Sequence, residues 1–302
     1  MKRILTVLFS ILWTISVFSQ NKEPESTGGH FSLEGALDLF KKANSLEAFE
    51  KLLNQEENNV NNLDLNDDGD VDFIIVNAIK EGDTHVLVLS TYLKDKELQD
   101  IATIGIEKVG PESARLQIEG DPDLFSENMI VEPKAEGESS LQVIIQDLAI
   151  ESSGVETGIF DRNNLLNDQT EEEYISVDNH FNVLETKQIT QVFVNVWFWP
   201  GVRVLYAPGY VVWHSPWRWG LYPQWWKPWR PLSYPVFYKR AAKYRIFYQR
   251  VPGRSVVMAR RIYAPGRSRS ALIVHKNRRG TVVIKKRPGR VRAVRVKRGR
   301  GG

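Results

Sequence analysis

The chain has 302 residues, with 40 Lys and Arg, 37 Asp and Glu, nine tryptophans and no cysteine. The missing cysteines exclude thiol catalysis, disulfides and cysteine-based zinc sites, so stability has to come from a core, a metal or partners. The net charge of +3 hides a division: residues 20–190 hold 37 acids and 12 bases, whereas residues 191–302 hold 26 bases and no acid. Opposite charges attract over a Debye length of about 8 Å. The two halves are therefore expected to fold against each other, to pair with another copy, or to leave the basic half to an outside polyanion.

Lys2 and Arg3, the uncharged run Ile4 to Phe18, and Val17 and Ser19 ahead of Gln20 follow the order of a cleavable secretory signal peptide. Residues 1–19 are read as that signal, and the mature chain is expected in the periplasm, on the cell surface or outside the cell. The most apolar later stretch, Val192 to Trp213, is broken by Pro200, Gly201, Arg203, Pro208 and Gly209. No transmembrane span is expected after signal cleavage.

Residues 31–120 predict an α+β domain. Ser32 is placed to cap a helix over Leu33 to Ala43, with Leu33, Ala36, Leu37 and Phe40 on one face, and Ser45 to cap a second through Leu53. Strand-like runs follow at Val71 to Ile79, His85 to Leu93, Ile101 to Val109 and Ala114 to Ile118, separated by polar or glycine-containing turns. Antiparallel pairing into a small sheet is the economical arrangement.

The first strand is entered through Asp64-Leu65-Asn66-Asp67-Asp68-Gly69-Asp70-Val71-Asp72. Alternate oxygens at 64, 66 and 68 turn inward as the backbone curls, Gly69 permits the sharp turn, Asp70 lends its carbonyl and Asp72 a further oxygen. That is the hard-oxygen set calcium takes. A bare Asp68-Gly69 hairpin turn is the alternative. The D-x-N-x-D-G-x-x-D spacing resembles the calcium loops of dockerins and of FG-GAP repeats. The resemblance implies Asp64, Asn66, Asp68, Asp70 and Asp72 as ligands of a structural Ca2+. The twelfth position, a bidentate Glu in EF-hands, is Ile75 here, and the match covers nine residues once, so a repeat array is not implied.

Residues 121–190 read as an acidic connecting region: a loop over Asp121 to Ser140, a strand or helix over Leu141 to Ile150, and the acidic stretch Ser152 to Glu185, the expected partner of the basic tail. Residues 191–238 hold eight of the nine tryptophans. Gln191 to Phe198 and Val202 to Tyr206 read as strands about a Pro200-Gly201 turn. Beyond Trp213, prolines recur too often for a helix or central strand. Three readings fit: tryptophans packed on the N-terminal half, a stacking platform for sugars or bases, and insertion at a membrane interface. Trp217, Trp219, Trp225, Trp226 and Trp229 are the candidate ring contacts, with Arg218, Lys227 and Arg230 placed for cation–π pairs.

Residues 239–302 form a basic tail with short β-type runs at Ser255 to Met258, Ala271 to His275, Thr281 to Ile284 and Val291 to Val296. Arg290, Arg292 and Arg295 are candidate anion contacts. Anionic polysaccharide, lipid head groups, and nucleic acid bound without sequence specificity are the matching outside partners. His30, His85, His180, His214 and His275 show no metal-ligand or nucleophile spacing. The expectation is a non-enzymatic, calcium-stabilised exported envelope or surface protein. A carbohydrate- or nucleic-acid-binding module and an unrecognised hydrolase stand behind it. The layout resembles that of exported bacterial proteins of unknown function, a likeness that carries no activity.

Overall fold

The computed structural model describes residues 26–125, 129–135, 141–145, 190–270, 272–277, 280–287 and 290–296; for 141–145, 190–192 and 272–296 it describes the backbone alone. The signal segment and the acidic stretch 152–185 lie outside the described residues.

Helices α1 (Leu33–Lys42) and α2 (Leu46–Leu53) begin where expected, because Ser32 Oγ accepts from Gly35 N and Ser45 Oγ from Ala48 N, each at 3.0 Å. Strands β1 (Ile74–Glu81), β2 (Thr84–Lys94), β3 (Glu97–Gly110) and β4 (Ser113–Gly120) form an antiparallel meander. Two further strands extend it. One is β5 (Ile130–Pro133), inside the stretch read as a loop. After β6 (Leu141–Ile145) and β7 (Thr190–Val194), which among the described residues pair with each other, comes β8 (Tyr248–Val251), which lies antiparallel to β5. The result is an α+β protein with a six-stranded sheet in the order β1-β2-β3-β4-β5-β8, its last strand drawn from the basic half.

One face of the sheet carries the main core. Leu37, Phe40, Phe49 and Leu53 of the helices meet Ile74, Leu87, Leu89, Ile104 and Ile118 of the strands, all fully buried. Each such side chain contributes about 1.5–3 kcal/mol. Residues Pro200–Leu205, expected as a turn and returning strand, form a short helix, α3, instead. Pro200 suits the first helical turn, and Gly201 lets α3 press on α1: a Cβ there would collide with the Phe40 carbonyl oxygen. Two more helices follow, α4 (Tyr234–Arg240) and α5 (Val257–Tyr263).

The opposite face of β3 and β4 presents Thr103, Glu107, Gln117 and Glu119, a polar alternation that reads as a solvent face. Helix α5 covers it instead, with Val256, Ala259 and Tyr263 packed on Val86 and Val88. Gly105 makes the approach possible, since a Cβ there would stand 2.5 Å from that of Ala259. A β-type run is expected at Ser255 to Met258. The helix replaces it because its amide groups find acceptors on the sheet, described below. Strands β9 (Leu272–Asn277), β10 (Gly280–Arg287) and β11 (Arg290–Val296) form a separate sheet in the order β11-β10-β9.

Candidate functional site

Three features single themselves out: the acidic loop, the aromatic segment beside it, and the polar sheet face that holds the chain from Arg254 to Ser270.

In the loop, Asp64, Asn66 and Asp68 are brought together by the loop's own amides. Asp64 accepts from Asp68 N and Gly69 N at 3.2 Å, Asn66 Oδ1 from Asp68 N at 3.0 Å, and Asp68 Oδ1 from Asp70 N at 2.9 Å. Asp67 (φ 65°) and Gly69 (φ 92°) take the left-handed conformation that closes the turn. Asp70 stays exposed, and Asp72 is buried with its Oδ2 accepting from Leu65 N at 2.7 Å. Burial raises the Asp72 pKa well above the usual carboxylate range, and the charges of Asp64 and Asp68 push it the same way. Among the described residues, no group of three or more His, Cys, Asp or Glu side chains is arranged to hold a metal ion. The oxygens of this loop are, for the most part, spent on its own N–H groups.

The aromatic segment is strapped across this loop, a juxtaposition the sequence does not announce. Asn62 pairs with Leu232 in both directions, at 2.7 and 2.9 Å, and the Trp229 carbonyl accepts from Val71 N at 2.8 Å. Phe73, at the loop's exit, is surrounded by Trp226, Tyr222 and Trp225 with ring centroids at 5.1, 5.5 and 6.2 Å. Trp217, Trp226 and Trp229 are half-buried, whereas Trp219 and Trp225 are exposed. Trp197 and Trp199 belong to the main core. The cations over tryptophan rings are Lys41, Lys51, Lys108 and Arg203, not Arg218, Lys227 or Arg230 among the described residues. Three of the four come from the acidic half, so the ring contacts join the halves as well.

Residues 213–215 also close the sheet's exposed margin. Ala78 N donates to the Trp213 carbonyl and Ser215 N to Asn77 Oδ1, while Glu50 of α2 and Asn54, which caps its C-terminus, satisfy Val76 and Ile74 further along β1. An open edge strand is thereby covered.

On the polar face, carboxylates and amides of the sheet accept from the backbone of the basic half. Glu107 Oε1 receives Met258 N and Ala259 N at 2.8 and 3.1 Å, capping the start of α5 from a neighbouring strand. Gln117 Oε1 receives Ser255 N at 2.7 Å, and Gln99 Oε1 receives Ser270 N at 2.9 Å. Asp100 Oδ2 accepts from Tyr263 Oη and Ser268 N, each at 2.8 Å. Burial lifts the Asp100 pKa above its ordinary range, while these bonds pull it back. Arg254 pairs with Glu119, and Arg267 with Asp121 in a two-pronged contact and with Asp123 at 3.0 Å. A cavity of about 10 Å3 between Glu119, Arg254, Arg260 and the sheet has room for about one water. Arg290, Arg292 and Arg295 lie on β11, where the register sets Arg290 opposite Arg287 and Arg292 opposite Lys285.

Compared with family models, curated proteins and solved structures, the chain returned no match in any of the three. Among the described residues no helix is long and apolar enough to cross a membrane.

Proposed function

We propose that this is a non-enzymatic exported protein of the envelope or cell surface, whose cationic C-terminal sheet binds a surface polyanion. The observation that carries the reading is where charge is matched. Arg250, Arg254, Arg260 and Arg267 reach Glu34, Glu119, Asp121 and Asp123, and this docked segment ends at Ser270. Beyond it the strands pair with one another and contain Lys276, Lys285, Lys286, Arg287, Arg290, Arg292 and Arg295 and no acid. Guanidinium rows suit sulfate, phosphate and carboxylate groups.

Heparin serves as a test polyanion. The protein is expected to bind it with an affinity that falls steeply with salt. Replacing Arg290, Arg292 and Arg295 by serine is expected to reduce the slope of log affinity against log salt by about 2–3. Absence of binding at low salt, or a triple variant with an unchanged slope, overturns the reading.

Calcium belongs to the same proposal as a stabiliser of the aromatic strap. Asp64, Asn66, Asp68 and Asp72 offer only hard oxygens; burial is the main cause of the raised Asp72 pKa, and the added repulsion from Asp64 and Asp68 is what a cation would relieve. Calcium is expected to raise the melting temperature relative to EDTA, with a stability gain of about 2.7 kcal/mol at a free concentration of about 100 Kd. Asp64→Ala with Asp68→Ala should remove the difference, and equal melting of the unaltered protein in calcium and EDTA removes calcium from the account.

A second reading, glycan stacking, is favoured by exposed Trp219 and Trp225 beside the loop. Its binding would be insensitive to salt, unlike that of the cationic sheet.

A further inference from the structure

We infer that the turn formed by α4 and the 3-10 helix after it (Ala241–Ile246) is a docking surface for an anionic lipid bilayer, separate from the cationic sheet. The segment is two-sided. Phe237, Ala241, Tyr244 and Tyr248 are buried against the body, with Tyr244 Oη donating to the Asn58 carbonyl at 2.7 Å and Phe237 stacked on His30 at 6.4 Å. These anchors fix the opposite side outward. That side shows Ile246 at 68% and Phe247 at 45% exposure, with Val236 and Tyr238 also exposed. Lys239, Arg240 and Lys243 are exposed among them, and the Arg245 guanidinium lies 3.6 Å above the Tyr238 ring, joining the two ends of the patch.

The combination chooses the partner. Soluble polyanions satisfy Lys239, Arg240 and Lys243 and stack on Tyr238, but they offer nothing to the aliphatic chains of Val236 and Ile246. A bilayer offers both: head-group phosphates for the cations and acyl chains for the apolar tips, with Tyr and Phe at the boundary. The adjoining strand β5 carries one acid, Glu132, which accepts from Gln117 and Gln249, whereas residues 234–247 carry Lys239, Arg240, Lys243 and Arg245 and no acid, so the patch is net positive.

The test is co-sedimentation of the full chain with vesicles containing phosphatidylglycerol, with phosphatidylcholine vesicles and heparin as comparisons. The protein is expected to partition onto phosphatidylglycerol vesicles, more weakly onto phosphatidylcholine, and to keep part of its vesicle binding at salt that abolishes heparin binding. Ile246→Ser with Phe247→Ser should lower vesicle partitioning by about tenfold or more and leave heparin binding and melting unchanged, since both side chains face solvent. Equal partitioning of the double variant and the unaltered protein overturns the inference, as does vesicle binding that vanishes at the same salt as heparin binding. Failure to bind heparin at any salt sinks the cationic-sheet proposal and leaves this one standing on the vesicle result.

Discussion

Arg267→Ala is expected to destabilise the protein by about 3–5 kcal/mol, the cost of stranding a buried charge. Arg267 has a side chain only 7% exposed, Asp121 is 1% exposed, and Asp123 lies on its other side. Both Asp121 oxygens are used by the guanidinium, and Asp121 also anchors the following turn through Asp123 N and Leu124 N. Removing the cation leaves two carboxylates facing each other under the chain. Arg267→Lys should recover only part of the loss, because a single ammonium cannot reproduce the fork. Urea denaturation of the two variants measures the effect. A loss under about 1 kcal/mol for alanine would mean the pair is exchanging with water, as surface pairs do. Because Asp100 and Gln99 hold the same segment through Ser268 and Ser270, the variant is also expected to expose residues 264–270 to protease before the rest unfolds.

The second large effect is a dependence of stability on pH set by Glu50. This residue of α2 is 1% exposed, and its Oε2 accepts from Val76 N at 2.7 Å. Burial raises its pKa to about 7, against the lowering effect of bonds from Val76 and Ser215. As pH rises from about 4.5 to 7, the unfolded chain gives up this proton while the folded one keeps it, so stability falls through that window and stays reduced above it.

His85 acts with the opposite sign. Fully buried, edge-on to Tyr206 at 4.8 Å and Tyr210 at 5.4 Å, it has a pKa lowered to about 4 by burial and by Lys80, opposed by Asp83. Between about 4 and 6.5 the unfolded chain takes up a proton the folded one refuses, so His85 costs stability as pH falls. The two contributions oppose each other from about 4.5 to 6.5, and above that Glu50 acts in the same direction as Asp72 and Asp100, whose pKa values burial also raises. Glu50→Gln keeps an acceptor for Val76 and should gain on the order of 2–3 kcal/mol at about pH 8. Its stability should also fall less with rising pH between about 4.5 and 7 than that of the unaltered protein. Unfolding midpoints across that range decide it: a Gln variant weaker than the unaltered protein at about pH 8 would show that Glu50 is ionised and matched when folded.

Both results concern a similar use of the acidic residues. Glu107 Oε1, Asp100 Oδ2 and Glu50 Oε2 accept from backbone amides and a tyrosine hydroxyl, while Glu107 Oε2 takes the Arg115 guanidinium and Glu119 and Asp121 take those of Arg254 and Arg267. The segment from Arg254 to Ser270 is therefore held on the sheet by directional bonds, and a hydrogen bond to an ionised or buried carboxylate contributes more than a screened surface pair.

The sequence by itself determined α1, α2 and β1 to β4. Their signals are local: a serine cap three residues ahead of an unpaired amide, apolar residues at helical spacing, alternating runs between turns. It also determined the loop at residues 64–72 as a sharp oxygen-rich turn, and the division of charge along the chain. Only the tertiary structure decided the rest. Residues 202–206 and 255–258 are rich in valine and read locally as strands. They enter helices because Gly201 sits against Phe40, Gly105 admits Ala259, and Glu107 caps α5 from a strand some 150 residues away. Strand β8 exists because β5 has an unpaired edge, and the tryptophans meet the acidic loop because Asn62 and Val71 bind Leu232 and Trp229. Each of these depends on a partner far along the chain, and short-range periodicity carries no record of which distant residue will be there.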